Sequence, residues 1–133
     1  MSSEQQIPVL DDVAQVLSHD RKNMLRLISE LPEQCETALG IGRSVAVEPH
    51  VEGFDVVLLM GSADSVFACD AAALIAGDLA RVPVVSRRVG PMPGYVGERS
   101  LVFVVDYAGK SHEAIRSCVE AKQRGAAVIC LTG

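Results

Sequence analysis

Two junctions at which an apolar run gives way to a helix constrain the fold of this chain most strongly. They are residues 54–74 (FDVVLLMGSADSVFACDAAAL) and residues 100–115 (SLVFVVDYAGKSHEAI). In each, a continuous apolar segment typical of a buried parallel strand is followed by a turn of small residues and then by a helix. The carboxyl ends of parallel strands lie at one edge of a sheet, so the two turns are predicted to lie side by side. The helix N-termini would then direct backbone N–H groups at one spot, which is typical of an anion site.

Charge and hydropathy exclude several classes of protein. The chain has 133 residues, of which 49% are hydrophobic, and its net charge is −5. An acidic chain of this kind lacks the basic surface that nucleic-acid binding requires. The sequence contains no apolar stretch of the roughly 20 residues that span a bilayer, and the amino terminus MSSEQQ does not resemble a secretion signal. We therefore expect a cytoplasmic protein that binds neither nucleic acid nor membrane.

The cysteines and histidines do not indicate a metal site or a disulfide framework. Cys35, Cys69, Cys118 and Cys130 form no Cys-x-x-Cys pair, and the histidines have no partner at ligand spacing. Cys118 and Cys130 fall at apolar positions of a predicted helix and strand. They are interpreted as reduced core cysteines, and no metal or cofactor is expected.

The remaining pattern predicts helices followed by alternating strands and helices. Helices are predicted at residues 10–17, from 20 to 31, and at 33–41, where Gly40 and Gly42 would end the third. Further helices are predicted at 65–79 and 113–124, the latter with Ala114, Ile115, Cys118 and Val119 inward, and a loop at 87–97. Strands are predicted at 56–60, 82–86, 101–105 and 127–131. This order predicts an α/β three-layer sandwich with a parallel, flavodoxin-like sheet, preceded by N-terminal helices.

The domain organisation follows from where the pattern changes. Residues 1–53 are predicted to form a helical preamble and residues 54–133 an α/β domain. Because the sequence stops directly after a buried-type strand, we expect this domain to be incomplete.

Taken in order, these segments resemble the sugar-isomerase (SIS) domain, specifically the amino-terminal part of the bifunctional phosphoglucose/phosphomannose isomerases. The resemblance runs from about Asn23 to Gly133. Residues 23–44 (NMLRLISELPEQCETALGIGRS) resemble the family's helical preamble, and residues 61–70 align without gaps on its Gly-Met-Gly-Gly-Ser-Gly-x-x-Gly-Asp loop. Residues 82–115 resemble the stretch that leads into its Ser-Tyr-Ser-Gly-Asn-Thr-Glu-Glu loop, and RGAAVICLTG resembles the strand that follows.

The resemblance implies a site in which hydroxyls and backbone N–H groups of the two loops hold a sugar phosphate. The first-loop serine of the family corresponds to Ser65. The implied residues of the second loop are Asp106, Tyr107, Ala108, Gly109 and Ser111.

Several positions depart from the family pattern. Asp64 and Val66 replace loop glycines, and valine restricts a backbone that glycine leaves free. The negative charges of Asp64 and Asp106 would oppose a phosphate dianion. Ser65 and Ser111 are equally well interpreted as helix N-caps, so a ligand role and a capping role both remain open for them.

The family's activity implies two functions for this chain. The first is the phosphosugar-binding domain of an aldose–ketose isomerase acting on glucose 6-phosphate, fructose 6-phosphate or mannose 6-phosphate. The family's catalytic arginine, glutamate and histidine lie in regions that would follow Gly133, so the chain itself is not expected to be catalytic. The alternative is a degenerate SIS module that serves dimerisation or regulation. In either case a homodimer, or pairing with a second SIS domain, is expected.

Overall fold

The computed structural model describes residues 11–45 and 53–133. The chain divides into two compact units, Met1–Val47 and Glu48–Gly133. The first unit contains α1 (Val13–His19), α2 (Met24–Ser29) and α3 (Leu31–Ser44). The second contains β1 (Val56–Gly61), α4 (Ser65–Gly77), β2 (Val84–Arg88), β3 (Ser100–Asp106), α5 (His112–Gln123) and β4 (Ala127–Thr132). Among the described residues, no helix is long and apolar enough to cross a membrane.

The three N-terminal helices are present as predicted, but their bounds differ: α2 spans Met24–Ser29 instead of 20–31, and α3 spans Leu31–Ser44 instead of 33–41. The Asp12 side chain caps α1 by accepting hydrogen bonds from the backbone of the next turn, while Leu10, where this helix was predicted to begin, lies outside the described residues. Pro32 lies in the first turn of α3, as expected for a residue that tolerates that position. The prediction that Gly40 and Gly42 end this helix is wrong, because α3 continues to Ser44. An interior glycine costs only about 1 kcal/mol relative to alanine, too little to stop a helix that continues to form hydrogen bonds.

The second unit is built on a four-stranded parallel sheet in the order β2-β1-β3-β4. From β1 the chain passes through α4 to β2 at one edge of the sheet, and from β3 it passes through α5 to β4 at the opposite edge. Right-handed crossovers in opposite directions put α4 and α5 on opposite faces. The predicted three-layer α/β fold is therefore confirmed.

The second strand lies two residues later than predicted. It spans Val84–Arg88 instead of residues 82–86, because Val84 pairs with Val57 and Arg88 pairs with Gly61. Pro83, which lacks an N–H, precedes the strand and contributes only its carbonyl oxygen, which accepts a hydrogen bond from the Val57 N–H at 2.9 Å. The correction brings Arg88 to the carboxyl end of the sheet.

The core lies between the sheet and α5, with a long loop closing one side. Its fully or nearly buried residues come from β1, β3, α5, the 89–96 loop and the turn before β4: Leu58, Met60, Val89, Met92, Val96, Val102, Val104, Ala114, Ala121 and Ala126. The predicted inward face of α5 is correct for Ala114 and for Cys118, which packs against the core, but wrong for Ile115 and Val119, which are about half exposed. Small residues, Ser117 among them, face inward because the loop packs closely on this helix. The Ser117 hydroxyl donates to the Gly90 carbonyl at 3.1 Å and accepts from its N–H at 3.3 Å.

The cysteines do not all lie in the core. Cys69 of α4 is buried and Cys118 of α5 is partly buried, whereas Cys35 and Cys130 are exposed. The interpretation of Cys130 as a core residue is therefore wrong. It lies in the second half of β4, where the residues are exposed because β4 is an edge strand.

Candidate functional site

Two loops meet at the carboxyl ends of the central strands. The first loop, residues 61–65, runs from the last residue of β1 to the first residue of α4, and the second loop, residues 106–111, runs from the last residue of β3 to the N-cap of α5. Strands β1 and β3 are neighbours, and the chain leaves them in opposite directions. Such a switch point opens a crevice in which α/β proteins bind ligands. The Ser62 N–H donates to the Val105 carbonyl at 2.9 Å, which holds the two loops side by side.

The first loop is a tight turn that brings α4 against the end of β1. A Cβ on Gly61 would lie 2.3 Å from the backbone nitrogen of Val66, so only glycine fits there. Ala63 has a φ of 42°, in the left-handed region that glycine favours. Asp64 occupies the N-cap position of α4, and Ser65 is the first residue of the helix. The backbone at the N-terminus of α4 therefore begins directly at the crevice.

A buried carboxylate dominates the second loop. Asp106 is only 7% exposed. Its carboxylate accepts a hydrogen bond from the Ser62 hydroxyl at 2.5 Å and another from the Ser111 N–H at 2.9 Å. The bond from Ser62, the N–H of Ser111 and, to a smaller extent, the N–H of Lys110 lower the pKa of Asp106, although burial opposes them. Asp106 is thus charged at neutral pH, and it accepts hydrogen bonds from groups that an anionic ligand would otherwise use.

The other predicted residues of the second loop lie around this carboxylate. Tyr107, Ala108 and Gly109 form the exposed turn between β3 and α5, in which the Gly109 N–H donates to the Asp106 carbonyl at 3.0 Å. Gly109 has a φ of 63°, a conformation that suits glycine. Ser111 is the N-cap of α5, and its hydroxyl accepts a hydrogen bond from the Ala114 N–H at 3.2 Å. The capping role considered for Ser111 is therefore present, whereas Ser65 lies one residue inside its helix.

Two residues at this edge were missed by the sequence reasoning. Ser62 is 4% exposed and links the two loops through Asp106, a residue 44 positions away. Arg88, at the end of β2, donates from Nη1 to the carbonyl of Ala63 at 3.1 Å, so its guanidinium lies beside the first loop. Pro83 was a sequence signal that could have identified Arg88. A strand seldom continues through a proline, so a five-residue strand that begins after Pro83 ends at Arg88 and places it on the same face as Ser86.

The site therefore combines backbone N–H groups, hydroxyls and one guanidinium with a buried carboxylate. The first three suit an anion or a hydroxyl-rich ligand. The carboxylate suits neither a phosphate nor another carboxylate, but it accepts hydrogen bonds from the Ser62 hydroxyl and the Ser111 N–H.

Comparison with known sequences supports the resemblance. No family model matches the chain. It is 29% identical over 109 residues to the bifunctional phosphoglucose/phosphomannose isomerase of Caldicellulosiruptor bescii. That match covers 82% of this chain but only 32% of the relative, so the chain spans about a third of the length of the curated protein it matches.

Comparison with solved structures supports the fold. A protein of Clostridium difficile 630 described as a candidate phosphosugar isomerase superposes with a TM-score of 0.66 at 18% identity, over 78% of this chain and 31% of its own. A protein of Salmonella typhimurium LT2 with the same description superposes with a TM-score of 0.56 at 20% identity, over 62% of this chain and 26% of its own. The chain has the SIS-type α/β fold, and the predicted resemblance to the bifunctional phosphoglucose/phosphomannose isomerases is confirmed.

Proposed function

We propose that this chain is the sugar-phosphate-binding SIS domain of an isomerase-like protein and that the phosphate binds between the first and second loops. The observation that carries the proposal is the meeting of two loops and two helix N-termini at the switch point between β1 and β3. Backbone N–H groups and the helix dipoles stabilise an anion at such a point. The matched relative is named as an isomerase of phosphosugars, which gives the ligand class.

Hydroxyls and one cation are the proposed side-chain ligands. Ser65 and Ser111 stand at the starts of the two helices, and we assign them to the phosphate together with the backbone from Asp106 to Gly109. Arg88 adds a positive charge beside the first loop, and Lys110 adds another within the second loop. Its Nη1 is held by the Ala63 carbonyl, and guanidinium groups bind phosphate oxygens in bidentate fashion through their remaining N–H groups.

We assign binding, and not proton transfer, to these residues. Aldose–ketose isomerisation moves a proton between C1 and C2 of the sugar through an enediol and requires a general acid or base near those carbons. A phosphate held at the loops anchors the far end of the sugar and so orients the reacting carbons. Glucose 6-phosphate, fructose 6-phosphate and mannose 6-phosphate all present the same phosphate end.

Calorimetric titration with fructose 6-phosphate and with 6-phosphogluconate tests this proposal. We expect saturable binding that weakens at least about tenfold in Ser65→Ala and in Arg88→Gln, because each change removes a phosphate contact. Arg87→Gln is the matched control, since Arg87 is the neighbouring residue of β2 and points to the opposite face. Equal affinity in the Arg87 and Arg88 variants would refute the assignment of Arg88.

A second candidate function is a non-catalytic SIS module that serves dimerisation or regulation. Two observations favour it. The Asp106 carboxylate already accepts hydrogen bonds from Ser62 and Ser111. In addition, large apolar side chains on and just after α4 are 66–81% exposed: Phe67, Leu74, Ile75 and Leu79. Exposed apolar patches of this kind are typical of interaction surfaces.

The Asp106→Ser variant distinguishes the two candidates. Removing the charge frees the Ser111 N–H and lowers the repulsion of a phosphate. An increase in affinity of at least about tenfold, from undetectable or weak binding, would favour the module, in which Asp106 blocks the site. Tight binding by the unmodified chain would favour the phosphosugar-binding domain. Sedimentation that shows a dimer weakened by Leu74→Glu would identify the exposed face of α4 as an interaction surface, but it would not separate the two candidates, because a dimer is expected for both.

A further inference from the structure

Two thiols from different elements are in contact on the face of the sheet covered by α5. The sulfur atoms of Cys118, in α5, and Cys130, in β4, are 3.3 Å apart. Cys130 lies two residues after Val128, which packs on the core beneath α5, so both side chains point toward this helix. Both cysteines are free thiols.

The two thiols differ in how they meet solvent. Cys130 is exposed, whereas Cys118 is partly buried. Burial, followed by the hydrogen bond with Cys130, raises the pKa of the Cys118 thiol to about 11. Only the thiolate attacks a disulfide, so the exposed Cys130 is the thiol that would react first and Cys118 the one that would follow.

We propose that Cys118 and Cys130 form a reversible intramolecular disulfide when the chain meets a small-molecule disulfide such as oxidised glutathione. The Cys130 thiolate attacks one glutathione sulfur, breaks the glutathione disulfide and releases a glutathione thiolate. Cys118 then loses its proton and attacks the Cys130 sulfur, which releases the second glutathione. The two protein thiols are oxidised by two electrons, the glutathione disulfide is reduced, and the thiol protons pass to the released glutathiones.

The local geometry suits this bond. The sulfur atoms must approach by only about 1.2 Å, from 3.3 Å to a bond length near 2.05 Å. The closed ring would comprise residues 118–130, which include the end of α5 and the turn at Gly125. Because Cys130 pairs with Val104 of β3, the bond would fasten α5 to the half of the sheet that ends at the second loop. This inference is independent of the proposed phosphosugar function.

Peptide mapping of the unmodified chain tests the proposal directly. The chain is equilibrated in glutathione buffers of increasing oxidised fraction, then denatured, alkylated with iodoacetamide and digested with trypsin. Cys118 lies in the tryptic peptide 117–122 and Cys130 in the peptide 125–133. We expect one linked peptide that replaces both alkylated peptides and disappears on reduction. Cys35, an exposed thiol on α3, is the control and should not join a linked peptide.

A second measurement shows whether the fold brings the thiols together. The equilibrium constant for forming the Cys118–Cys130 disulfide, measured from the fraction of linked peptide, should fall on the order of tenfold or more in urea. The reason is that only the folded chain holds the two sulfur atoms close together. Separate alkylated peptides at every buffer ratio would overturn the proposal. The proposal would also be overturned if Cys130 carried only glutathione or formed a disulfide with a second chain. It would be overturned as well if urea left the fraction of linked peptide unchanged. Cys118→Ser should leave Cys130 as a glutathione adduct.

Discussion

The close approach of β1 and α4 predicts a large effect for Gly61→Ala. An added Cβ would lie 2.3 Å from the nitrogen and 2.4 Å from the Cα of Val66, and 2.6 Å from the carbonyl carbon of Ser65. Cβ contacts essentially never fall below 3.0 Å, so the start of α4 must retreat by at least 0.7 Å, the difference between 3.0 and 2.3 Å. The atoms in conflict belong to the backbone and cannot rotate away. The first turn of α4 must therefore move as a unit.

The cost of that movement lies at the upper end for overpacking, about 3 kcal/mol in the free energy of unfolding. For a unit of this size, that loss lowers the thermal midpoint by roughly 12–24 °C. Urea unfolding followed by far-ultraviolet circular dichroism measures the loss in the free energy of unfolding. Gly94→Ala is the matched control: a Cβ on Gly94 meets nothing within 4 Å, so its effect should stay within about 0.5 kcal/mol. If the two variants unfold at the same urea concentration, β1 and α4 do not approach as described.

Three further predictions concern the loops. Ala63→Gly should stabilise the chain by about 0.5–1 kcal/mol in urea unfolding, because relief of the left-handed φ exceeds the added freedom of the unfolded chain; a loss of stability would contradict that conformation. Ser111→Ala should cost about 1 kcal/mol by the same measurement through loss of the α5 cap, and no cost would mean that the cap is not formed in solution. Since the pKa of Asp106 is lowered in the folded chain, the stability it contributes is complete above its ordinary value near 3.8 and is lost as the pH falls through the lowered value. We therefore expect the difference in urea midpoint between the unmodified chain and Asp106→Asn to become smaller as the pH falls below about 3.8. A difference that stays constant with pH would show that the pKa of Asp106 is not lowered.

The sequence contained enough information to predict the layers of the fold. It did not predict which residues of each helix face inward, or where every strand begins and ends. Continuous apolar runs and their small-residue turns identified all four strands of the second unit and their parallel direction, with one strand predicted two residues early. The inward face of α5 was misjudged because Ile115 and Val119 are more hydrophobic than Ser117. Hydropathy alone cannot detect that Ser117 is buried by hydrogen bonds to Gly90, a contact across 27 residues.

The candidate site was predictable in position and only partly in content. The crevice follows from topology, and Asp106 and Ser111 do lie together there. Ser62 was missed because its role depends on a partner 44 residues away, and no local spacing indicates such a pair. Arg88 was missed because the predicted second strand ended two residues early, which left it in a loop. The error in the bounds of β2 therefore left the positive charge of Arg88 out of the predicted site.

Asp106 connects the stability of the second loop to its proposed function. The N–H groups at the start of a helix have no partner within the helix and need one from a side chain, water or a ligand. In this chain, the Asp106 carboxylate accepts hydrogen bonds from the Ser111 N–H and the Ser62 hydroxyl and so stabilises the conformation of the second loop. The charge of the same carboxylate opposes a dianion, so we expect phosphate binding to require that the carboxylate moves or that a nearby cation offsets its charge. Arg88 is a cation beside the first loop, and we expect the balance between the positive charges of Arg88 and Lys110 and the negative charge of Asp106 to decide whether the two loops bind a phosphate.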